Sequence, residues 1–356
     1  MSDSAYLALE NGRVFEGKFF GEKRETLGEL VFTTGMSGYM ETLTNNSYFG
    51  QIVLQTFPLI GNYGIISQEI ESPSAKINGY IVKSWCEGPS NFKSEGDLDT
   101  FLKEKSIPGI YGIDTREIVK IIRKNGVMNA KITGNKNNID FDEIKNYKIK
   151  NAVSIVSRKD ITHIEGKNHK IVLFDFGVSE SIKNILIKNG YEIWIVPHDT
   201  PAKIIKSMNP DGIVLSDGPG NPDDNTEIAD NLKKIIKLDI PVFGLCLGHQ
   251  LLGLAHGFKI EKLKFGHRGT NHPVKDIISG RVYITSQNHG YFVVKESIEK
   301  NTAKVSFENI NDKTCEGIEY INKPFFSSQF HPDDCKSLHG TGFLYEKFTK
   351  YMEGHN

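Results

Sequence analysis

Cys246 stands in the run Ile240-Pro241-Val242-Phe243-Gly244-Leu245-Cys246-Leu247-Gly248-His249-Gln250, whose residue types suit a thiol nucleophile. Val242 to Leu245 read as a short buried strand and Gln250 to Ala255 as an apolar helix, so Cys246 falls on the turn between them. Gly244 and Gly248, two residues to either side, let the chain turn sharply and let a substrate approach the backbone. A thiol at the start of a helix meets unpaired N–H groups and the positive end of the dipole, both of which favour the thiolate and lower its pKa. The plainer reading is a buried cysteine acting as a small hydrophobe.

A thiol nucleophile needs a base, and the chain holds 11 histidines. His249 and His256 lie on the helix after Cys246 and read as packing or capping residues. His267 and His272 stand five apart; a metal pair is conceivable, but no third ligand adjoins them, so no metal site is assigned. His331 ends the apolar run from Pro324 to Phe330 and is followed by Pro332, Asp333 and Asp334. A strand that delivers a histidine to the sheet edge bearing Cys246, with an acid two residues on to orient the ring, meets the needs of a Cys–His–acid relay. Acyl transfer also needs backbone donors for an oxyanion. Ser216-Asp217-Gly218-Pro219-Gly220-Asn221-Pro222 offers glycines that let the main chain face a ligand, although Gly-Pro-Gly alone is a turn signal.

The elements that must position these groups follow from the pattern of apolar residues. From Lys170 strands and helices alternate: strands at 171–175, 192–196 and 212–215, helices at 180–189, 201–208 and 226–238, then the strand before Cys246. Apolar, doubly buried strands alternating with helices make a parallel sheet with helices on both faces, and ligands bind outside the carboxyl ends of its strands. The first part of the chain differs. Asn11-Gly12 between extended runs signals a hairpin. Short strands are expected at 30–33, 52–57 and 80–83, followed by helices at 97–105 and 115–124, the second with Asp114 and Glu117 at capping-box spacing. The fold class read from this is α/β: a C-terminal doubly wound, mostly parallel sheet preceded by a smaller α+β domain. The boundaries are 1–150, a polar connector at 151–169, and 170–356.

At 356 residues two domains are the default expectation. With 43 basic and 44 acidic residues the formal net charge is −1, which gives no overall field for nucleic acid or an anionic membrane. Cys86, Cys246, Cys315 and Cys335 form no CxxC pair, so neither a disulfide framework nor a cysteine zinc site is indicated. No signal-peptide pattern and no run of 18 apolar residues occurs, and a cytoplasmic location is expected. Neither GxGxxG after a strand nor GxxxxGK[ST] is present, so no nucleotide is assigned to this chain.

Gly244-Leu245-Cys246-Leu247-Gly248-His249-Gln250, the earlier Asp217-Gly218-Pro219-Gly220-Asn221-Pro222 and the late Phe330-His331-Pro332-acid resemble, in order and spacing, the class I (triad-type) glutamine amidotransferases. Lys264 to His267, Asn271 to Lys275 and Ser286 to Gly290 narrow the resemblance. With Thr34 to Tyr39, Tyr48 to Gln55 and Gly112 to Arg116, they are similar to the small subunit of carbamoyl phosphate synthetases over nearly the whole chain. The resemblance implies Cys246 as nucleophile forming a glutamyl thioester, His331 as base and Asp333 as its orienting acid. It implies an oxyanion hole from the N–H groups of Leu247 and Gly218. Gly220, Gln250, Asn288, Gly290, Tyr291 and Ser47 fall where the family holds L-glutamine. Ammonia would pass to a separate large subunit, where ATP and magnesium are expected, to make carbamoyl phosphate for pyrimidine or arginine biosynthesis; this chain needs no cofactor of its own. Two departures stand out: Asp333 where Glu is usual, one methylene shorter, and Asp217 where Asn is commoner. The altered acid motivates a second reading, a catalytically impaired structural or regulatory subunit. A third, the glutaminase of another synthase, is opposed by the N-terminal domain.

Overall fold

A computed structural model describes residues 4–332 and 340–354. The chain divides into two compact units, one of residues 1–150 and 264–269, the other of 151–263 and 270–356.

The first unit is built on a closed barrel of seven strands. Their order around it is Ser4–Leu9, Val14–Gly21, Pro108–Tyr111, Gly79–Ile81, Gln51–Gln55, Thr26–Thr33 and Met128–Thr133, the last pairing back to the first. Asn11-Gly12 does close the hairpin between the first two, with Gly12 at a φ of 89°. Leu7, Leu30, Ile52, Ile81, Ile110 and Ile132 fill one core. The two expected helices form at Leu98–Glu104 and Thr115–Asn125. Asp97 and Asp114 cap them, each carboxylate accepting the N–H three residues on. Two closing strands, Pro108–Tyr111 and Met128–Thr133, escaped the sequence reading. The first opens with proline and the second alternates with polar Asn129 and Lys131, so neither shows a continuous apolar run.

The second unit carries a ten-stranded sheet. Five strands at its centre run parallel in the order Glu192–Pro197, Lys170–Asp175, Gly212–Leu215, Val242–Leu245 and Phe325–Ser328. The helices Glu180–Lys188, Ala202–Met208 and Thr226–Ile235 match the expected alternation, a further helix, Phe343–Glu353, lies near the C-terminus, and two apolar clusters of this unit contain the strand side chains. Two features go beyond the expectation. Residues 151–169, read as a connector, form the helix Ala152–Val156 and the strand Thr162–Ile164, which adds antiparallel to the sheet edge. The far side of the sheet is antiparallel: Cys315–Tyr320, Ala303–Asn309, Ile260–Asp276 and Val282–Val293. These last two strands are long; the first is largely polar and the second is interrupted by Thr285-Ser286-Gln287-Asn288-His289, which hid them from a search for buried strands.

No helix among the described residues is long and apolar enough to cross a membrane.

Candidate active site

The strand Val242–Leu245 ends at Cys246, whose φ of 50° and ψ of −103° are unusual for a side-chain-bearing residue, and the helix Leu247–Ala255 begins at the next position. This helix starts three residues earlier than its apolar run suggested. Gly248 makes the sharp entry possible. A Cβ there would lie 2.3 Å from the Leu215 carbonyl oxygen, so the first helical turn rests directly on the neighbouring strand. The Gly248 N–H donates to Ser216 O at 3.0 Å and fixes that approach.

The sulfur is enclosed: Cys246 is 2% exposed. Its S–H donates to the Asn288 carbonyl at 3.7 Å, and Gln329 Nε2 donates to Sγ at 3.7 Å. Burial pushes the thiol far above its ordinary range, the Asp217 carboxyl adds to the rise and Glu316 contributes, while the Leu247 N–H and the Gln329 amide oppose it. The helix start thus acts in the direction expected from sequence, but removal from water outweighs it.

Strand register brings the histidine to the same edge. Leu245 pairs with Ser328, and the Cys246 N–H donates to Ser328 O at 2.9 Å. The chain leaving Ser328 therefore passes the turn, with Gln329 reaching the sulfur and His331 two positions on. The His331 N–H donates to Ser286 O at 3.0 Å in an isolated antiparallel bridge to Val282–Val293. On that strand Ser286 and Asn288 are about 7 Å apart; the first holds His331 and the second accepts from Cys246. Asp333 lies outside the described residues.

Gly218 is pressed against the same turn: a Cβ there would lie 2.3 Å from Phe176 O and 2.9 Å from Leu247 Cδ2. The Leu247 N–H is directed at the thiol sulfur. Gly220 adopts a φ of 92°, in the left-handed region that glycine enters without a Cβ penalty. Gln250 donates through Nε2 to Tyr291 O at 2.7 Å and to Gln329 Oε1 at 2.9 Å. Its amide nitrogen is therefore engaged in a relay, Gln250 to Gln329 to Cys246, that positions the sulfur. Asn288, Gly290 and Tyr291 follow one another along Val282–Val293, and Asn288 Nδ2 is buried with no acceptor among the described residues. The Tyr291 ring lies 5.8 Å from Lys262 Nζ. Ser47 belongs to the first unit, where Asn45 Oδ1 accepts its N–H at 2.8 Å and its buried hydroxyl has no partner among the described residues.

His249 is a packing residue. It is fully buried, its Nδ1 sits 2.8 Å from Ser327 Oγ, and burial lowers its pKa to about 3, so it is neutral. The sequence reading missed Gln329. A polar residue closing the apolar run from Pro324, two before His331, was its available signal.

Residues 7–132 match the family described as carbamoyl-phosphate synthase small chain, CPSase domain, and residues 172–351 match glutamine amidotransferase class-I. Over 349 residues the chain is 45% identical to a carbamoyl phosphate synthase small chain of Clostridium perfringens, covering 98% of this chain and 99% of that one. It is 44% identical over 353 residues to the carbamoyl phosphate synthase pyrimidine-specific small chain of Halalkalibacterium halodurans, covering 98% and 96%. A small chain from Fusobacterium nucleatum is 44% identical over 350 residues, covering 98% of each.

Proposed function

Because the chain belongs to the carbamoyl phosphate synthase small chains and is a glutamine-hydrolysing enzyme subunit, we propose that Cys246 and His331 hydrolyse L-glutamine and that the ammonia passes to a large, ATP-using subunit. The observation that carries this reading is Cys246 itself, held at a positive φ between a strand and a helix, with its sulfur ringed by the Asn288 carbonyl, the Gln329 amide and the Leu247 N–H.

The Cys246 sulfur attacks the side-chain carboxamide carbon of glutamine and its proton passes to His331. The negative charge that develops on the carbonyl oxygen is met by the N–H groups of Leu247 and Gly218. The carbon–nitrogen bond breaks, and the nitrogen leaves as ammonia with the proton returned by His331. Water then attacks the thioester carbon as His331 takes its proton, the carbon–sulfur bond breaks, and glutamate leaves with the thiol restored. Asp333 orients His331 in this scheme. Asn288 Nδ2, Gly220, Gly290 and Tyr291 bound the glutamine pocket, and Gln250 acts through Tyr291 and Gln329. Ser47 enters from the resemblance alone.

A buried thiol held neutral has a use here. Its proton passes to His331 as the sulfur attacks, which couples thiolate formation to the bound carboxamide.

The test is Cys246→Ser in the chain reconstituted with a large subunit. Glutamine-dependent carbamoyl phosphate synthesis is expected to be abolished, while synthesis from added ammonium chloride persists. Loss of both activities from an assembled complex would sink the division of labour. Absence of an adduct at Cys246 after treatment with a glutamine-like electrophile, together with no glutaminase activity, would favour a structural subunit instead.

A further inference from the structure

Asp217 has no part in the chemistry above, yet the residues on both sides of it pack against the turn that carries Cys246, and its charge acts on the thiol. Ser216 O takes the Gly248 N–H, and Gly218 packs against Leu247, so residue 217 is held against the first helical turn after Cys246. Its carboxyl is fully buried. Oδ1 accepts the Ser179 N–H at 3.2 Å, and Oδ2 has no hydrogen-bond partner among the described residues.

A second carboxyl nearby shows what a buried carboxylate needs. Asp175 ends the strand adjacent to Gly212–Leu215 and accepts four N–H bonds. Gly177 and Val178 each donate to Oδ1 at 2.9 Å, and the Arg158 backbone and Nε donate to Oδ2 at 3.0 and 2.9 Å. Asp175 is thus fully satisfied and paired with a guanidinium. Among the described residues Asp217 has no ion-pair partner and keeps one bare oxygen, and it feels the Asp175 charge.

Burial is the main force raising the Asp217 carboxyl, to about 7, with Asp175 adding to it and hydrogen bonds from Ser179 opposing it. The titratable groups bearing on this pair are Asp175 on the adjacent strand end, Cys246 on the turn, and Glu316, whose charge also acts on the thiol. Arg158 is spent on Asp175.

We infer that Asp217 is a positioning residue that works as the neutral acid, and that loss of its proton suppresses thiolate formation at Cys246, giving the site an alkaline brake. The inference rests on the reading of Cys246 as the nucleophile. As the neutral acid, Asp217 presents no charge to the sulfur. As the carboxylate, it places a second negative charge beside the one that must form there, and the two groups then titrate as a coupled pair.

The experiment is alkylation of Cys246 in the full chain by iodoacetamide, followed by peptide mass spectrometry between about pH 5 and about pH 10. The ratio of rates, Asp217→Asn over wild type, is expected to be near unity at the acid end and to climb to about tenfold at the alkaline end, as expected for a like-charge interaction of about one pKa unit. Ser179→Ala removes a donor that favours the ionised carboxyl, so the pH at which the wild-type rate bends is expected to move upward. A ratio that stays flat with pH, or a bend unmoved by Ser179→Ala, overturns the inference. No adduct at Cys246 in any of the three proteins overturns the nucleophile reading beneath it instead.

Discussion

At the scale of single residues, the thiol and its neighbours are set by what burial leaves unsatisfied. A carboxyl whose folded-state pKa lies near 7 and whose ordinary value is 3.8 binds more protons folded than unfolded between those values. Its contribution to stability is therefore greatest at low pH and is lost as pH rises through the folded-state value. Asp217→Asn has no such dependence. Its stability is expected to gain on that of the wild type as pH rises from about 4 to about 7 and to hold a constant lead above that, the gap reaching the order of a few kcal/mol and appearing as a higher melting temperature. Differential scanning calorimetry across that range checks it; a lead that shrinks with pH would refute the assignment. Gln329 invites a second substitution. Gln329→Leu removes the amide from Sγ and one of the two acceptors of Gln250, which is expected to cost about 1–3 kcal/mol in urea unfolding.

At the scale of elements, the site depends on how tightly one helix start can approach one strand. Gly248→Ala would put a methyl group 2.3 Å from the Leu215 carbonyl oxygen, a backbone atom that cannot swing aside. The helix must move, and the Cys246 turn with it. Expected outcomes are a loss of several kcal/mol of stability and of glutaminase activity together, read by chemical denaturation and ammonia release; retention of both would show that the turn tolerates a wider gap. The same element explains what sequence could reveal. The strand Val242–Leu245, the turn and the strand Gly212–Leu215 were legible because short apolar runs bounded by glycine have one economical arrangement. His331 was legible from its place at the end of such a run. The strands Ile260–Asp276 and Val282–Val293 were not, because a strand with one face in water carries polar residues that resemble a loop. Through them came Ser286 and Asn288, whose backbone holds both the histidine and the thiol. Gln250 illustrates a different limit: its position in the motif was plain, but its bonds to Tyr291 and Gln329 depend on strands far away in the chain.

At the scale of the whole molecule, the first unit is not continuous in sequence. Residues 264–269 belong to it although they lie within the span of the second. There Lys264 O accepts the Val127 N–H at 2.8 Å, Arg268 O accepts the Thr34 N–H at 3.1 Å, and the Phe265 ring stacks on Phe32 at 6.1 Å. A fragment ending at Lys150 loses these acceptors and that stack. It is expected to be less stable, by about 2–4 kcal/mol in urea, than the same fragment with residues 264–269 attached by a flexible linker. Equal stability of the two would make the segment an ornament of the first unit.

That shared segment also sets an order of events on the ribosome. Residue 264 is made 114 positions after residue 150, a delay of about 6–23 s at ordinary rates of elongation. During that interval the barrel strands are all present, but Val127, Thr34 and Phe32 still await their partners. The first unit is therefore completed by a strand that cannot arrive until Cys246 and its helix have been synthesised, so the N-terminal half matures alongside the half that bears Cys246.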